Sequence, residues 1–369
     1  MNPDRRRLLP LPLAGLLAAC TPGGARATAP EGSLLRLAEE GGVPALGGVV
    51  VGREGVIHLE VAGVRRAGSR DPVQTGDAWH LGSNTKAMTA MLYGQAVEAG
   101  KARWDSSLGE LFPSLGMNAA WSKTPIDAVM EHRAGLSDAG VIDTRWLFTA
   151  RSDDRSLPEQ RMAMVAKALS EPPRGTPGVF AYANMNYILA GAALERIEGK
   201  PWEDVIREGL FKPLGLASAG FGAPAGDQPQ GHVRLGPLPA RPAGEGKRAD
   251  NPAAMAPAGG VHMALADYAR FLSLFLKAGD GLVSPATLAR LTTPPPGGDY
   301  ALGWTVTEGR AWAQGPVLGH EGSNTLWHAV AQVAPGRGLA FATVSNLWSQ
   351  DKEPAPIRLL KRLRRQYAP

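Results

Sequence analysis

Strand-like sequence stands at both ends of this chain, and helical sequence fills the space between. Residues 46–51 and 56–61 are rich in β-branched and apolar side chains and flank Arg53-Glu54-Gly55, a hairpin signature. Residues 327–333 and 339–345 flank Pro335-Gly336-Arg337-Gly338 in the same way. From Ser83 onward Met88, Met91, Leu92 and Val97 recur at helical steps until Gly100. Residues 187–197 and 202–210 are further helical candidates, with Gly199-Lys200-Pro201 between them. Residues 265–278 carry Leu265, Tyr268, Leu272 and Phe275 on one face. A short helix over 33–40 opens the domain. A last one, marked by Ile357, Leu360, Leu363 and Tyr367, closes it and is expected to pack on the sheet. Residues 222–260 are dense in Gly and Pro and read as an extended loop. No internal repeat is present. The expectation is α+β: one antiparallel sheet flanked by the N- and C-terminal helices, with a mostly helical lobe inserted. The sheet lobe is expected over residues 33–80 and 290–369, the helical lobe over 84–280.

The 369 residues are 44% hydrophobic and 20% charged, which excludes a disordered chain, and they exceed what one core comfortably fills. The net charge of +5 is dispersed, with no basic stripe interleaved with aromatics, so nucleic-acid binding is not expected. Arg5, Arg6 and Arg7 precede an apolar run over 8–19 that is too short to span a bilayer. The run ends in Leu17-Ala18-Ala19-Cys20, which resembles a bacterial lipobox. Residues 1–19 are therefore read as a signal peptide and Cys20 as the lipidated residue, giving an exported protein of the cell envelope or periplasm held on the membrane. Ala25-Arg26-Ala27 is a rival cleavage site that would release a soluble form. Cys20 is the only cysteine, so no intrachain disulfide forms.

Three short motifs carry candidate chemistry. Ser83-Asn84-Thr85-Lys86 is an S-x-x-K at a helix start; three residues is close to one turn, so Lys86 shares a face with Ser83. A serine hydroxyl is a weak nucleophile and needs a proton acceptor, and a buried lysine of depressed pKa is one. A second S-x-x-K, Ser349 to Lys352, lacks a following apolar helix and is set aside. Tyr182-Ala183-Asn184 offers a phenol and an amide; nearby cations would pull the phenol from its ordinary pKa near 10 toward neutrality. His320-Glu321-Gly322-Ser323 leads into strand residues, so His320 and Gly322 point one way and Glu321 the other. Glu321 then needs a polar partner or solvent. Gly135-Leu136-Ser137-Asp138-Ala139 nearly matches a G-x-S-x-G elbow, but Ala139 replaces the second glycine and no βαβ alternation surrounds it. The nine tryptophans are scattered and suit core or cleft-wall positions.

In this order S-x-x-K, Y-x-N and H-x-G resemble the signature of the β-lactamase-like serine hydrolases, in the branch holding class C β-lactamases, D-alanyl-D-alanine carboxypeptidases, D-aminopeptidases and esterases. The resemblance runs over roughly residues 33 to 348. It includes Val43-Pro44, His132-Arg133-Ala134-Gly135-Leu136 (Ala134 where serine is usual), Pro213-Leu214-Gly215, Pro257-Ala258-Gly259-Gly260 with Asp267, and Tyr300 to Trp304. It implies a β-lactamase-like domain over 33–369 with Ser83 as nucleophile, Lys86 as its proton partner and Tyr182 as general base. Asn184 would bind a substrate amide or hold Lys86. His320 would assist Tyr182 or bind a carboxylate. The N–H groups of Ser83 and Ser323 would form an oxyanion hole, with Gly322 letting substrate approach. No cofactor or metal is implied, and the seven histidines show no metal-ligand spacing. His320 stands where true β-lactamases carry lysine, which argues against efficient β-lactam hydrolysis. The function implied is hydrolysis of an ester or amide through an acyl-serine, on a small-molecule or peptide substrate. The alternatives are a penicillin- or peptidoglycan-binding module without turnover, and an acyltransferase.

Overall fold

The computed structural model describes residues 32–236 and 238–369; the expected signal peptide, residues 1–19, and Cys20 lie outside the described residues. Strands β1 (Ala45–Gly52), β2 (Gly55–Gly63), β3 (Ala78–His80), β4 (Val261–Ala264), β5 (Thr305–Thr307), β6 (Val317–Ser323), β7 (His328–Ala334) and β8 (Leu339–Ser345) frame the molecule. The central sheet is antiparallel in the order β2-β1-β8-β7-β6-β5, so strands from the two chain ends meet at the β1–β8 pair. β3 and β4 pair in a smaller sheet beside it. The two hairpins form where the turn signatures stand.

Every residue of β1 is buried, because helices cover both faces of the sheet. Neighbouring residues of a strand face opposite sides. A side chain at Gly48 would strike Leu359 and Leu363 of the C-terminal helix, and one at Gly47 would strike Leu265 from the other side. The helices are α1 (Leu34–Glu40), α2 (Thr85–Glu98), α3 (Leu157–Leu169), α4 (Asn184–Glu198), α5 (Leu265–Ser273) and α6 (Ala355–Tyr367). Ser33 caps α1 through its hydroxyl. α1 and α6 share one apolar core on one face of the sheet, built on Leu34, Leu46, Val50, Phe341 and Leu359. α5 packs on the other face, so it belongs with the sheet although it falls in the stretch assigned to the helical lobe. It is also shorter than its apolar pattern: from Leu274 the backbone bonds three residues back in tight turns, and Ala278 takes a positive φ of 51°. Residues 202–210 form a short helix, Trp202–Ile206, that widens into a π turn over Arg207–Phe211. The Gly- and Pro-rich stretch 222–260 is folded rather than merely extended: it holds a two-residue strand pair and ends in one-turn helices over Ala253–Met255 and Ala256–Gly259. No helix of the described residues is long and apolar enough to cross a membrane.

The helical lobe is pinned by a buried charge. Arg161 of α3 is fully buried and bonded to both Glu195 of α4 and Glu203 of the helix that follows, and its Nε donates to the Ala254 carbonyl at 3.1 Å. Burial pushes the Glu195 carboxyl up and the guanidinium opposes it. Arg161→Met leaves two carboxylates facing one another without a cation, and is expected to cost about 3–5 kcal/mol. Urea unfolding with an unchanged slope checks this; a loss under about 1 kcal/mol would contradict it.

Candidate active site

β3 delivers the chain to Gly82, whose φ of +52° lets it turn into a single 3-10 turn, Gly82–Asn84, before α2 begins. The turn lies hard against β6. A Cβ on Gly82 would stand 2.3 Å from the Ser323 nitrogen, and one on Gly322 would stand 2.0 Å from the Leu81 carbonyl oxygen and 2.7 Å from the Ser83 nitrogen. Both glycines are thus required by close backbone approach. Asn84, fully buried, donates to the Leu81 and Ala329 carbonyls and accepts from the Tyr268 hydroxyl of α5 at 3.0 Å. Thr85 donates to the Gly82 carbonyl at 2.8 Å. The start of α2 is therefore rigid, and Ser83 sits on it facing the cleft.

Lys86 lies one turn on and is fully buried. Its Nζ reaches the Ser83 Oγ at 2.9 Å, the Asn184 Oδ1 at 3.0 Å and the Ala258 carbonyl at 2.7 Å. Burial pushes its pKa down to about 7, while the Asp138 carboxylate pulls the other way. The partners fix what the neutral amine does. Asn184 Nδ2 donates to Asp138 Oδ2 at 3.1 Å, so the Asn184 carbonyl oxygen must be the atom facing Lys86. That oxygen and the Ala258 carbonyl can only accept. They consume both N–H bonds of a neutral Lys86 and leave its lone pair aimed at the Ser83 hydroxyl.

Tyr182 donates to the same Ser83 Oγ at 2.8 Å. It lines the cleft at 44% exposure, with Lys86 Nζ 4.9 Å from its ring centre. The protein packed around it pushes its pKa up to about 12, against the pull of the Ser83 hydrogen bond. Cleft water can return it no further than the ordinary phenol value near 10, so Tyr182 is a neutral donor at pH 7. This corrects the expectation of a phenol drawn toward neutrality: burial outweighs the single nearby amine. Behind it His132 packs ring to ring at 4.4 Å. His132 Nδ1 accepts from Asn186 and the Ala183 N–H, so its proton sits on Nε2, and burial pushes its pKa down to about 2.

His320 is placed differently from expectation. Its Nδ1 donates to the Glu321 carbonyl at 2.7 Å, and its Nε2 accepts from the Tyr300 hydroxyl at 3.1 Å. Its ring centre lies 6.4 Å from that of Tyr182. Burial, with Lys86 adding to it, pushes its pKa down to about 4. A neutral imidazole with both nitrogens engaged neither assists the Tyr182 hydroxyl nor offers charge to a carboxylate. Glu321, on the opposite side of β6, finds its partner in His328 of the next strand, Oε2 to Nε2 at 3.2 Å. Ser323 lines the cleft with Ser83. The second S-x-x-K lies away from it, with Ser349 accepting from Arg234 and from the Asp351 N–H.

The cleft encloses about 850 Å³. Its walls come from residues 150–157, 221–225 and 245–256, joined by Gln160, Glu203 and Arg207. Sequence reading missed Asp138, His132 as a support for Tyr182, and Tyr300. Asp138 stands in the segment weighed only as a nucleophile elbow. Its signal was an acidic residue able to cap a helix from outside it: Asp138 Oδ1 accepts the Met185 N–H at the start of α4 at 2.9 Å. Among the described residues no cluster of side chains suits a metal ion.

The family model described as Beta-lactamase matches residues 33–364. Penicillin-binding protein 4 of Amycolatopsis lactamdurans is 28% identical over 319 residues, which cover 79% of this chain and 78% of that protein. Unguisins hydrolase ungD' of Aspergillus campestris (strain IBT 28561) is 25% identical over 73% of this chain, and the match spans 52% of the fungal protein. The crystal structure of D-amino acid amidase from Ochrobactrum anthropi SV3, complexed with L-phenylalanine amide, superposes with a TM-score of 0.70 at 17% identity, covering 89% of this chain and 93% of that one. The chain belongs to the Beta-lactamase family and is a hydrolase of that fold.

Proposed function

We propose that this enzyme cleaves an ester or amide through an acyl-serine intermediate on Ser83. The observation that carries the reading is the double hydrogen bond to one hydroxyl: Lys86 Nζ at 2.9 Å and Tyr182 OH at 2.8 Å, both on Ser83 Oγ. Neutral Lys86 takes the Ser83 proton as Oγ attacks the carbonyl carbon. The carbonyl electron pair moves onto oxygen, which the N–H groups of Ser83 and Ser323 stabilise. When the tetrahedral intermediate collapses, the leaving group takes its proton from Tyr182, and Lys86 passes the proton it took from Ser83 to the Tyr182 oxygen. Water then attacks the acyl-serine by the same route in reverse. The roles of Lys86 and Tyr182 follow their electrostatics, since one is poised near neutrality and the other is held protonated. The amidase and hydrolase relatives support an amide or ester substrate.

A fluorophosphonate probe followed by mass mapping is expected to modify Ser83, and Ser83→Ala is expected to lower ester hydrolysis at least about 1,000-fold. Modification elsewhere, or full activity in Ser83→Ala, would refute the proposal. The pH dependence follows from the lowered amine. Below about 7 Lys86 is protonated and has no lone pair, so kcat/KM is expected to rise with pH and level off above about 7. A profile that rises only above pH 9 would assign the proton acceptor elsewhere.

A further inference from the structure

One carboxylate outside the three motifs touches both segments that carry the oxyanion N–H groups. Asp250 lies in the cleft wall, in the Gly- and Pro-rich stretch. Its Oδ2 meets His80 Nε2 at 2.9 Å, and His80 Nδ1 accepts the Gly82 N–H at 3.1 Å. That bond makes Nδ1 the bare nitrogen and places the proton on Nε2, so His80 donates to Asp250. On the other side Asp250 Oδ1 accepts from Asn324 Nδ2 at 2.7 Å. The orientation of Asn324 is fixed as well: its Oδ1 accepts the N–H groups of Leu326 and Trp327, each at 3.1 Å. Gly82 immediately precedes Ser83 and Asn324 immediately follows Ser323. His80 and Asn324 are both buried, at 1% and 4% exposure.

We propose that Asp250 is a positioning residue that sets the spacing of the oxyanion hole, holding the Ser83 turn through His80 and the Ser323 strand end through Asn324. The inference rests on the acyl-serine reading above. Asp250 itself touches neither nucleophile nor substrate in this role. Its two oxygens suit two buried donors because a carboxylate accepts on both. An amide of the same shape satisfies one arm only. With its oxygen toward His80, its NH₂ faces the Asn324 NH₂ and the Asn251 N–H, which donates to the same Oδ1 at 2.7 Å. With its oxygen toward Asn324, its NH₂ faces the His80 N–H. Asp250 also accepts from Arg151 through its backbone carbonyl at 2.7 Å, a contact the substitution keeps, so the wall stays attached.

The test compares wild type, Asp250→Asn and Asn324→Ser on an activated ester. Displacing donors by a fraction of an ångström is expected to lower kcat of Asp250→Asn about 100-fold with KM within about twofold. Asn324→Ser breaks one arm and is expected to lower kcat about 10-fold. Because both act through one network, the double variant is expected to fall well short of the product of the two losses. Phenylboronic acid, whose Ser83 adduct presents an oxygen to the hole, is expected to lose affinity in parallel with kcat. Full kcat in Asp250→Asn, a loss confined to KM, or multiplicative losses would overturn the inference. If Asp250→Asn does not fold, Asn324→Ser with the boronate series decides alone: a parallel loss supports the inference and unchanged boronate affinity overturns it. A wild-type enzyme that fluorophosphonate fails to modify at Ser83 would instead remove the acyl-serine reading, so the two failures are distinguishable.

Discussion

The chemistry of this molecule depends on one buried amine. Taking an ammonium out of water costs several kcal/mol, and a fold tolerates it only where acceptors surround the charge or the proton is easily lost. Lys86 has both conditions. Its three acceptors come from three separate parts of the chain: the nucleophile itself, the first residue of α4, and the one-turn helix that ends at Gly259. Bringing them together requires the Gly82–Gly322 contact, the seating of α4 by Asp138, and the folded end of the Gly- and Pro-rich stretch. The site is therefore a junction of sheet edge, helical lobe and cleft wall, and it exists only when all three are in register.

Much of the fold was legible because its signals are local. The two hairpins carry turn residues between β-branched runs, and β1 is buried on both faces as its near-continuous apolar sequence implies. What was less legible depends on tertiary contacts. The helix expected over 265–278 stops at Ser273; apolar residues continue, but Leu274, Phe275, Leu276 and Lys277 bond to carbonyls three residues back, in successive tight turns. Residues 222–260 look structureless because Gly and Pro suppress periodicity, yet they fold by hydrogen bonding to distant partners through Asp250.

The candidate site was legible in part for the same reason. Ser83, Lys86, Tyr182, Asn184, Gly322 and Ser323 stand in short patterned groups, and the structure brings them to one cleft or its wall. Protonation states are not written in such groups. Whether Tyr182 or Lys86 is the resting base depends on burial, which no spacing reveals. His320 carries its motif position but spends both nitrogens on Glu321 and Tyr300, a residue 20 positions earlier. The orienting residues Asp138, His132 and Asp250 act by fixing which atom of a neighbour faces inward. That information resides only in the assembled hydrogen-bond network.

The most direct measurement is the titration of Lys86 by carbon NMR on protein labelled at lysine Cε, with Lys86→Arg used to assign its resonance. A midpoint near pH 7, more than three units below an ordinary lysine, is the result this account predicts. A Lys86 resonance that stays in its protonated position until pH 10 would contradict it, because the Ser83 hydroxyl would then have no amine lone pair beside it at neutral pH.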